Sequence, residues 1–476
     1  MLLTDTHDEI ASALEMLPAD FCADGQAAQA TYRQTATSRR VLFVSYPFPP
    51  VGGAGVQRVA KFVKYLPEFD WQSSVLTVAN PSVPAYDHSL IGDIPRSTIV
   101  RKARTFEPGY AVKAAVVSGG DHAGLVRRWV KAAGRRASAA LLQPDPQVLW
   151  LPDAVREGRR LLRAVPHAAI VASGPPFSTL LVGAILQRAS GLPLILDYRD
   201  EWTLSNRYLE NKHTGPVARF IQARMQRHAL RRAAAVIATT KASASSLESV
   251  CAEAGSTPRV TWIYNGFDAA DFPASIKASG RSNGRYRLVY VGTLWNLTDI
   301  APLVAAVERL SHEAPELAGK LEIVVAGRRT AAQQELLQPL RALPCRLVEH
   351  PYLDHDAALD LIRSADGLCV LLSAVSGAER VVPAKLFEYM ATRRPILAIV
   401  PPGECWDLLG EYPAALPVTP GDISGIARAL AGELRRHGAE RTKPPVWDGA
   451  RFERRSQAGE LARLLDALTD TNPCTA

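Results

Sequence analysis

The sequence has no uninterrupted apolar stretch of the roughly 18 residues that a membrane-spanning helix needs. The nearest stretch, residues 167–186, is broken by Ser173, Gly174, Pro175 and Pro176. The first residues, MLLTDTHDEIASALEML, carry acids where a signal peptide would carry lysine or arginine. These absences predict a cytoplasmic protein.

Cysteines are few, and their spacing is not that of a metal site or a disulfide framework. The six are Cys22, Cys251, Cys345, Cys369, Cys405 and Cys474. We therefore expect reduced thiols, as in a cytosolic protein.

Composition and charge narrow the function classes. The chain has 476 residues, of which 47% are hydrophobic and 21% charged, and this favours two globular domains. The formal net charge of +8 favours an anionic partner such as a nucleotide, a phospholipid surface or nucleic acid. Basic residues cluster at 125–143 and 218–232, which predicts either contact with an anionic membrane or solvated arginine faces. Nucleic acid is disfavoured, because no recognised binding module accompanies the charge.

The apolar runs predict two α/β units in series. Continuous rather than alternating runs indicate strands covered on both faces, as in parallel sheets. The first unit has predicted strands at 41–45, 73–78, 97–100, 168–173, 192–200 and 234–240, and the second at 287–295, 321–327, 345–350, 367–373 and 394–400. Helical patterns alternate with them, which predicts two doubly wound domains with a ligand site in the cleft between them.

Two stretches carry chemistry. Glycines at 52, 53 and 55 lie between a strand and a helix, where backbone amides can approach a phosphate, although a tight turn is an equally good interpretation. Lys385 and Glu388 share one face of a helix that follows Pro383. Lysine suits a phosphate and a carboxylate suits a pair of ribose hydroxyls, whereas the alternative is an exposed ion pair of little consequence.

The order of these motifs resembles the retaining, nucleotide-sugar-dependent glycosyltransferases of family 4, which have the GT-B architecture of two Rossmann-like domains around a central cleft. The matching stretches are FPPVGGAGVQR, PDPQVLWLPDA, SGPPFST, LDYRDEW, IYNGFD, VYVGTL and PAKLFEYMATRRPIL. The branch resembled includes enzymes of cell-surface polysaccharide biosynthesis. Composition and the resemblance together predict five segments. Composition predicts a loosely ordered extension at 1–38 and a linker at 269–286. The resemblance implies an acceptor domain at 39–268, a donor domain at 287–446, and a C-terminal helix at 447–476 that packs back on the first domain.

The resemblance also implies roles for individual residues. Glu388 corresponds to the second glutamate of the family's paired-glutamate motif, which holds the nucleotide ribose. The implied catalytic residues are Glu379, Arg380 and Lys385. The implied donor-binding residues are Gly52, Gly53, Gly292, Thr293, Arg328, Lys385, Leu386 and Glu388. The residues implied on the acceptor side or in the cleft are Gly55, Asp197, Arg199, Asp200 and Trp202, with a structural ion pair between Asp197 and Arg199 as the alternative.

The chain departs from the family pattern at three positions. Arg380 stands where the first glutamate of the pair would fall, Thr293 replaces a frequent basic residue, and Leu180 replaces a frequent histidine. Arg328 or Arg329 then becomes the expected second cation for a diphosphate.

The implied reaction is front-side transfer of a sugar from a UDP- or GDP-linked donor to a saccharide or lipid-linked acceptor, with retention, at the inner face of the cell membrane. It requires no metal and no cofactor, and Asp354 in the Asp-His-Asp stretch is expected to cap a helix. The alternatives are a nucleotide-sugar epimerase or phosphorylase on the same architecture, and a non-catalytic binding protein.

Overall fold

Two parallel sheets organise the chain. The computed structural model describes residues 39–83, 86–109, 142–204, 215–272, 284–437 and 446–470. The first sheet contains β1 (Arg40–Val44), β2 (Gln72–Val78), β3 (Ile99–Ala103), β4 (Ala169–Gly174), β5 (Leu194–Tyr198), β6 (Ala235–Ala238) and β7 (Arg259–Trp262), in the spatial order β3-β2-β1-β4-β5-β6-β7. The second contains β8 (Tyr286–Val291), β9 (Leu321–Ala326), β10 (Arg346–His350), β11 (Gly367–Leu371), β12 (Ile396–Ile399) and β13 (Ala415–Val418), in the order β10-β9-β8-β11-β12-β13.

Helices cover both faces of each sheet. In the first domain we number α1 (Ala54–Tyr65), α2 (Leu151–Ala164), α3 (Ser178–Ser190), α4 (Pro216–Leu230) and α5 (Lys241–Glu253). In the second we number α6 (Ala301–Glu313), α7 (Pro315–Ala318), α8 (Ala331–Leu336), α9 (His355–Arg363), α10 (Lys385–Ala391), α11 (Glu404–Gly410) and α12 (Ile423–Arg436), and α13 (Arg454–Thr469) follows them. No helix in these described ranges is long and apolar enough to cross a membrane.

The strand interiors explain why the sheets form. The central strands β4, β9 and β11 are buried along their whole length, so both of their faces contribute to a core. Each sheet therefore separates two apolar clusters. The prediction of two doubly wound α/β domains is confirmed.

Two strands were not predicted. β7 and β13 lie at the edges of their sheets, and their side chains are half-buried or exposed. Such strands lack the continuous apolar run that marks a strand covered on both faces.

Helix α13 returns to the first domain. Its residues Leu461 and Leu465 are fully buried in the cluster that also contains Val59 and Phe62 of α1. The residues just before α13 run parallel to the end of the first domain, because the N–H of Phe267 donates to Phe452 and that of Arg454 donates to Phe267. The predicted extension at 1–38 lies outside the described residues, as do 273–283 of the predicted linker. The predicted domain boundaries stay a prediction.

Candidate active site

The glycine loop joins β1 to α1. Gly53 has φ +111°, in the region that favours glycine, and no atom lies within 4 Å of the position that a Cβ would take. Helix α1 begins next to it with no side-chain cap and no acidic residue in its first turn. The helix dipole and the open space beside Gly53 suit an anion.

Arg199 holds this loop in place. Its guanidinium donates to the carbonyl oxygens of Gly55 and Pro175, and a side chain at Gly55 would collide with it. Gly55 and Arg199 therefore hold the glycine loop, at the end of β1, against the loop that follows β4.

Asp197 pairs with a different arginine from the predicted one. Its carboxylate accepts hydrogen bonds from Arg58 at 2.9 Å and from the hydroxyl of Ser173 at 2.8 Å, and both ionic side chains are 1% exposed. Arg58 also donates to the carbonyl oxygens of Ile263 and Tyr264. This buried pair joins α1, β5 and the end of the first domain.

Trp202 and Asp200, two further predicted site residues in the LDYRDEW stretch, have different environments. Trp202 is buried and stacks on Phe177, with ring centroids 4.6 Å apart, so it belongs to the core. Asp200 is exposed and has no hydrogen bond or ion pair with the described residues. Of these two side chains, that of Asp200 is the one accessible to a ligand.

Lys385 lies at the carboxyl edge of the second sheet, in the first turn of α10. Its ammonium is 3.6 Å from the centroid of the Tyr290 ring. It has no carboxylate partner among the described residues, and burial lowers its pKa to about 7. At Gly292, where φ is +144°, a Cβ would come within 2.9 Å of this ammonium. A glycine at the end of β8 therefore leaves the space that Lys385 occupies.

Glu388 lies one turn further along α10. It is half-buried and has no hydrogen-bond partner in the described ranges. Burial raises its pKa above the ordinary value, while the positive charges of His355 and Arg454 oppose this shift. An acceptor with free lone pairs in a partly buried position suits a ligand that carries hydroxyl groups.

His355, the first residue of α9, was not predicted as a site residue. Its ring contacts Gln57 at 3.0 Å and Asp271 at 3.3 Å, and its backbone N–H donates to Asp87 at 2.9 Å. Burial lowers its pKa, but Asp271 and Glu388 outweigh this effect, so the pKa is raised overall. These three contacts come from distant parts of the chain, so no local motif indicated them.

The two arginines after β9 have different environments. Arg329 is paired with Glu349 at 2.8 Å and donates to the carbonyl of His350. Arg328 is exposed and lies over the ring of Tyr352 at 5.7 Å from its centroid, and the Tyr352 hydroxyl lies at the backbone of Gly53. Arg328 is therefore the available cation near the glycine loop.

Two further residues were predicted to bind the donor. Leu386 packs in the core, and Thr293 forms hydrogen bonds through its backbone carbonyl. The side chain of Leu386 is fully buried, and its N–H donates to the carbonyl of Pro383. Thr293 has an exposed side chain, while its carbonyl accepts hydrogen bonds from Tyr290 and Thr298.

Glu379 and Arg380 precede α10 and bind each other at 2.9 Å. Glu379 is 51% exposed and also accepts from the N–H of Gly377. Arg380 in turn binds Glu201 of the first domain at 2.8 Å.

No group of three or more His, Cys, Asp or Glu side chains that could hold a metal is present among the described residues. Asp354 accepts a hydrogen bond from the N–H of Ala357 at 2.9 Å. The prediction that it caps a helix is confirmed.

Comparisons with known proteins bear on the type of domain and on the fold. Residues 52–266 match the model of the glycosyl transferase 4-like domain. No match was found among curated proteins. Sucrose-phosphate synthase from Thermosynechococcus elongatus is similar in structure, with a TM-score of 0.60 and 14% identity over 91% of this chain and 100% of that one.

Two further structures are similar. The Anabaena protein HepE, in complex with UDP-glucose, has a TM-score of 0.56 and 16% identity, over 90% of this chain and 99% of that one. A UDP-forming trehalose-phosphate synthase from Burkholderia xenovorans has a TM-score of 0.51 and 15% identity, over 92% of this chain and 100% of that one. These similarities concern the fold, which is GT-B: two Rossmann-like domains that face a central cleft.

Proposed function

We propose that the protein is a retaining glycosyltransferase of the family 4 type. It moves a sugar from a UDP- or GDP-linked donor to a saccharide or lipid-linked saccharide in the biosynthesis of a cell-surface polysaccharide. The match of residues 52–266 to a glycosyl transferase domain supports the reaction class. The UDP-glucose in the Anabaena neighbour makes UDP the first nucleotide to test.

One observation carries the proposal. Lys385 and Glu388 lie one turn apart on α10, at the carboxyl edge of the second sheet, and neither has a partner of opposite charge bonded to it in the described ranges. In this arrangement Lys385 binds the diphosphate and Glu388 accepts hydrogen bonds from the two ribose hydroxyls. An exposed ion pair between Lys385 and Glu388 does not explain their partly buried positions. A half-buried charged side chain without a partner costs free energy unless a ligand binds it.

Charge stabilisation of the leaving diphosphate follows from the same site. Arg328 and Lys385 supply positive charge from the second domain, and the start of α1 beside Gly53 supplies a helix dipole from the first. The acceptor hydroxyl attacks the anomeric carbon on the face that the diphosphate leaves, so the configuration is retained. The bond between that carbon and the diphosphate oxygen breaks, and the hydroxyl proton passes to the departing diphosphate. Fixed cations and amides stabilise the departing charge, and the reaction needs no metal.

The acceptor enters from the first domain. Asp200 presents an accessible carboxylate in the segment that follows β5 and suits a saccharide hydroxyl. A lipid-linked acceptor requires a membrane, and the exposed face of α4 fits the inner surface of one. Its exposed side chains include Val217, Phe220 and several arginines.

Calorimetric titration with UDP, GDP and ADP, and with UDP-glucose, tests the proposal. We expect saturable binding of one nucleotide to the wild type and a loss of at least about tenfold in affinity in Glu388→Ala, because the ribose loses its acceptor. Glu313→Ala is the matched control, since Glu313 is exposed on α6 and pairs only with Arg309 among the described residues.

The outcomes separate the alternatives. Equal nucleotide binding by Glu388→Ala, or none by the wild type, would contradict the proposed donor site. Nucleotide-sugar binding without any release of nucleotide, in the presence of saccharide acceptors, would favour a non-catalytic binding protein. That second candidate is favoured by Arg380, which stands at the first-glutamate position and is engaged by Glu201.

A further inference from the structure

Arg380 makes a bidentate contact between the two domains. Its Nε donates to one carboxylate oxygen of Glu201 at 2.8 Å and its Nη2 approaches the other at 3.3 Å. The Glu201 side chain is 4% exposed and that of Arg380 is 26% exposed. The pair is therefore largely removed from water, where a two-point contact restrains both side chains more than an exposed pair would.

The partner of Arg380 is itself held in place. Glu201 accepts hydrogen bonds from the hydroxyls of Ser243 at 2.8 Å and Ser246 at 3.0 Å, both on α5. The carbonyl oxygen of Arg380 accepts a hydrogen bond from Thr240, the residue that caps α5, at 2.8 Å. Arg380 is thus bound to the start of α5 through its backbone and to Glu201 through its side chain.

A carboxylate of the second domain binds the same end of α5. Glu404 accepts hydrogen bonds from the N–H groups of Lys241 at 2.7 Å and Ala242 at 2.6 Å. Its carboxylate complements the dipole of α5 from the opposite domain. Gly403, at φ +144°, packs against the backbone of Glu379, so the two loops of the second domain form one contact surface.

The loop fixed in this way leads directly into the donor site. Arg380 is separated from Lys385 by four residues, which include the rigid Pro383, and Glu388 follows on the same short helix. A constraint on Arg380 is therefore also a constraint on where α10 lies relative to the first domain.

We propose that Arg380 is a positioning residue: its contacts with Glu201 and Thr240 dock the loop at 377–383 on α5 and so align the donor site with the acceptor domain. This inference rests on the proposed function and deepens it. It differs from the catalytic role that the resemblance implies for Arg380, because the guanidinium is already bound by Glu201 through Nε and Nη2 and by Glu379 through Nη1.

A double-mutant cycle tests the proposal, with Arg380→Gln, Glu201→Gln and the double variant of the full chain. Arg309→Gln is the matched control, since it breaks an arginine–glutamate contact of 2.7 Å on α6 of the same domain. Three quantities are measured: the affinity for UDP by calorimetry, the release of UDP from UDP-glucose, and hydrogen exchange of the backbone at 240–246 and 377–391. If UDP does not bind to the wild type, the nucleotide that binds takes its place.

We expect each single variant to lower nucleotide release roughly tenfold to hundredfold, because a small misplacement of the donor site slows the reaction. Nucleotide affinity should stay within about threefold, and hydrogen exchange should rise in both segments. The double variant should be no worse than the poorer single variant, as two residues that act through one contact are not additive. Arg380→Lys should recover part of the activity, since it keeps the charge.

Three results would overturn the inference. The first is a multiplied loss of turnover in the double variant, which would mean that Arg380 acts independently of Glu201. The second is a loss of nucleotide affinity in Arg380→Gln alone, which would indicate direct contact with the diphosphate. The third is unchanged hydrogen exchange in all variants. Hydrogen exchange can be measured without a ligand. If exchange rises in the variants while the wild type binds no nucleotide, the proposed function is rejected and the docking contact remains supported.

Discussion

At the scale of single residues, the environment of Lys385 decides its chemistry. A lysine on a protein surface is fully charged at neutral pH, but burial beside Tyr290 lowers the pKa of Lys385 to about 7. Above that pH the free protein carries mostly the neutral amine. A bound diphosphate favours the ammonium, so the ligand and a proton bind together.

This linkage predicts how nucleotide affinity depends on pH. Below pH 7 Lys385 is already charged, and the affinity should be constant with respect to this group. Above pH 7 the affinity should fall by up to about tenfold per pH unit. Lys385 must then take up a proton when the nucleotide binds, and the proton concentration falls tenfold with each pH unit. Calorimetry at pH 8 in buffers of different ionisation enthalpy should show this uptake. Lys385→Met retains His355 and the other titrating groups, so the same pH dependence in that variant would refute the assignment.

At the scale of elements, α1 is bound to the end of the first domain by charge. Lys61 and Lys64 both contact Asp268 at 2.7 Å, and Tyr65 donates to its other oxygen at 2.6 Å. Burial alone would raise the pKa of Asp268, but these hydrogen bonds outweigh it and hold the pKa well below its usual range. Asp268, the last residue of the IYNGFD stretch, thus fixes the helix that follows the glycine loop.

Asp268→Asn should destabilise the protein at neutral pH by about 3–5 kcal/mol, as expected when one partner of a buried ion pair is removed. A carboxylate with a depressed pKa stabilises the folded state fully above its unfolded pKa, near 3.8, and loses this contribution progressively as the pH falls from that value towards the depressed folded-state pKa. The difference between the variant and the wild type in urea midpoint should therefore be smaller at pH 3 than at pH 7 without disappearing, because the depressed pKa keeps the folded-state carboxylate ionised at pH 3. An equal difference at both values would contradict the charge assignment. Asp360→Asn, at a 78% exposed carboxylate, is the control.

At the scale of the whole molecule, positive charge is unevenly distributed. Helix α4 has no acidic residue, and its exposed positions include Arg219, Arg224 and Arg227 beside Phe220. The second predicted basic cluster lies on this helix, whereas 125–141 of the first lies outside the described residues. Gln143, at the end of the first cluster, is a hydrogen-bond partner of Gln222 on α4. The described end of the first cluster therefore contacts the helix that carries the second.

We expect this face to bind vesicles that contain phosphatidylglycerol and not vesicles of phosphatidylcholine alone. Co-sedimentation should weaken as salt rises from 0.05 to about 0.5 M, because exposed charges are then screened. A triple variant with Arg219, Arg224 and Arg227 changed to Gln should lose most of the binding. The control changes the exposed residues Arg428, Arg435 and Arg436 of α12 to Gln. Equal binding by both triple variants would exclude α4 as the docking face.

The sequence by itself determined the architecture and the position of the donor helix. Continuous apolar runs predicted the buried strands, since a strand covered on both faces cannot alternate polar and apolar side chains. The edge strands β7 and β13 were missed because that constraint is relaxed at an edge. Lys385 and Glu388 were identified from their three-residue spacing, which is a local property of a helix.

Only the tertiary structure decided which side chains act together. Asp197 pairs with Arg58, 139 residues away, and not with Arg199, two residues away. Arg380 meets Glu201 across 179 residues, and His355 meets Asp87 across 268. Local sequence sets the conformation of a segment and the chemistry that it carries. The partners of a charged side chain are set instead by the packing of two sheets and the helices between them, which brings distant segments to the same cleft.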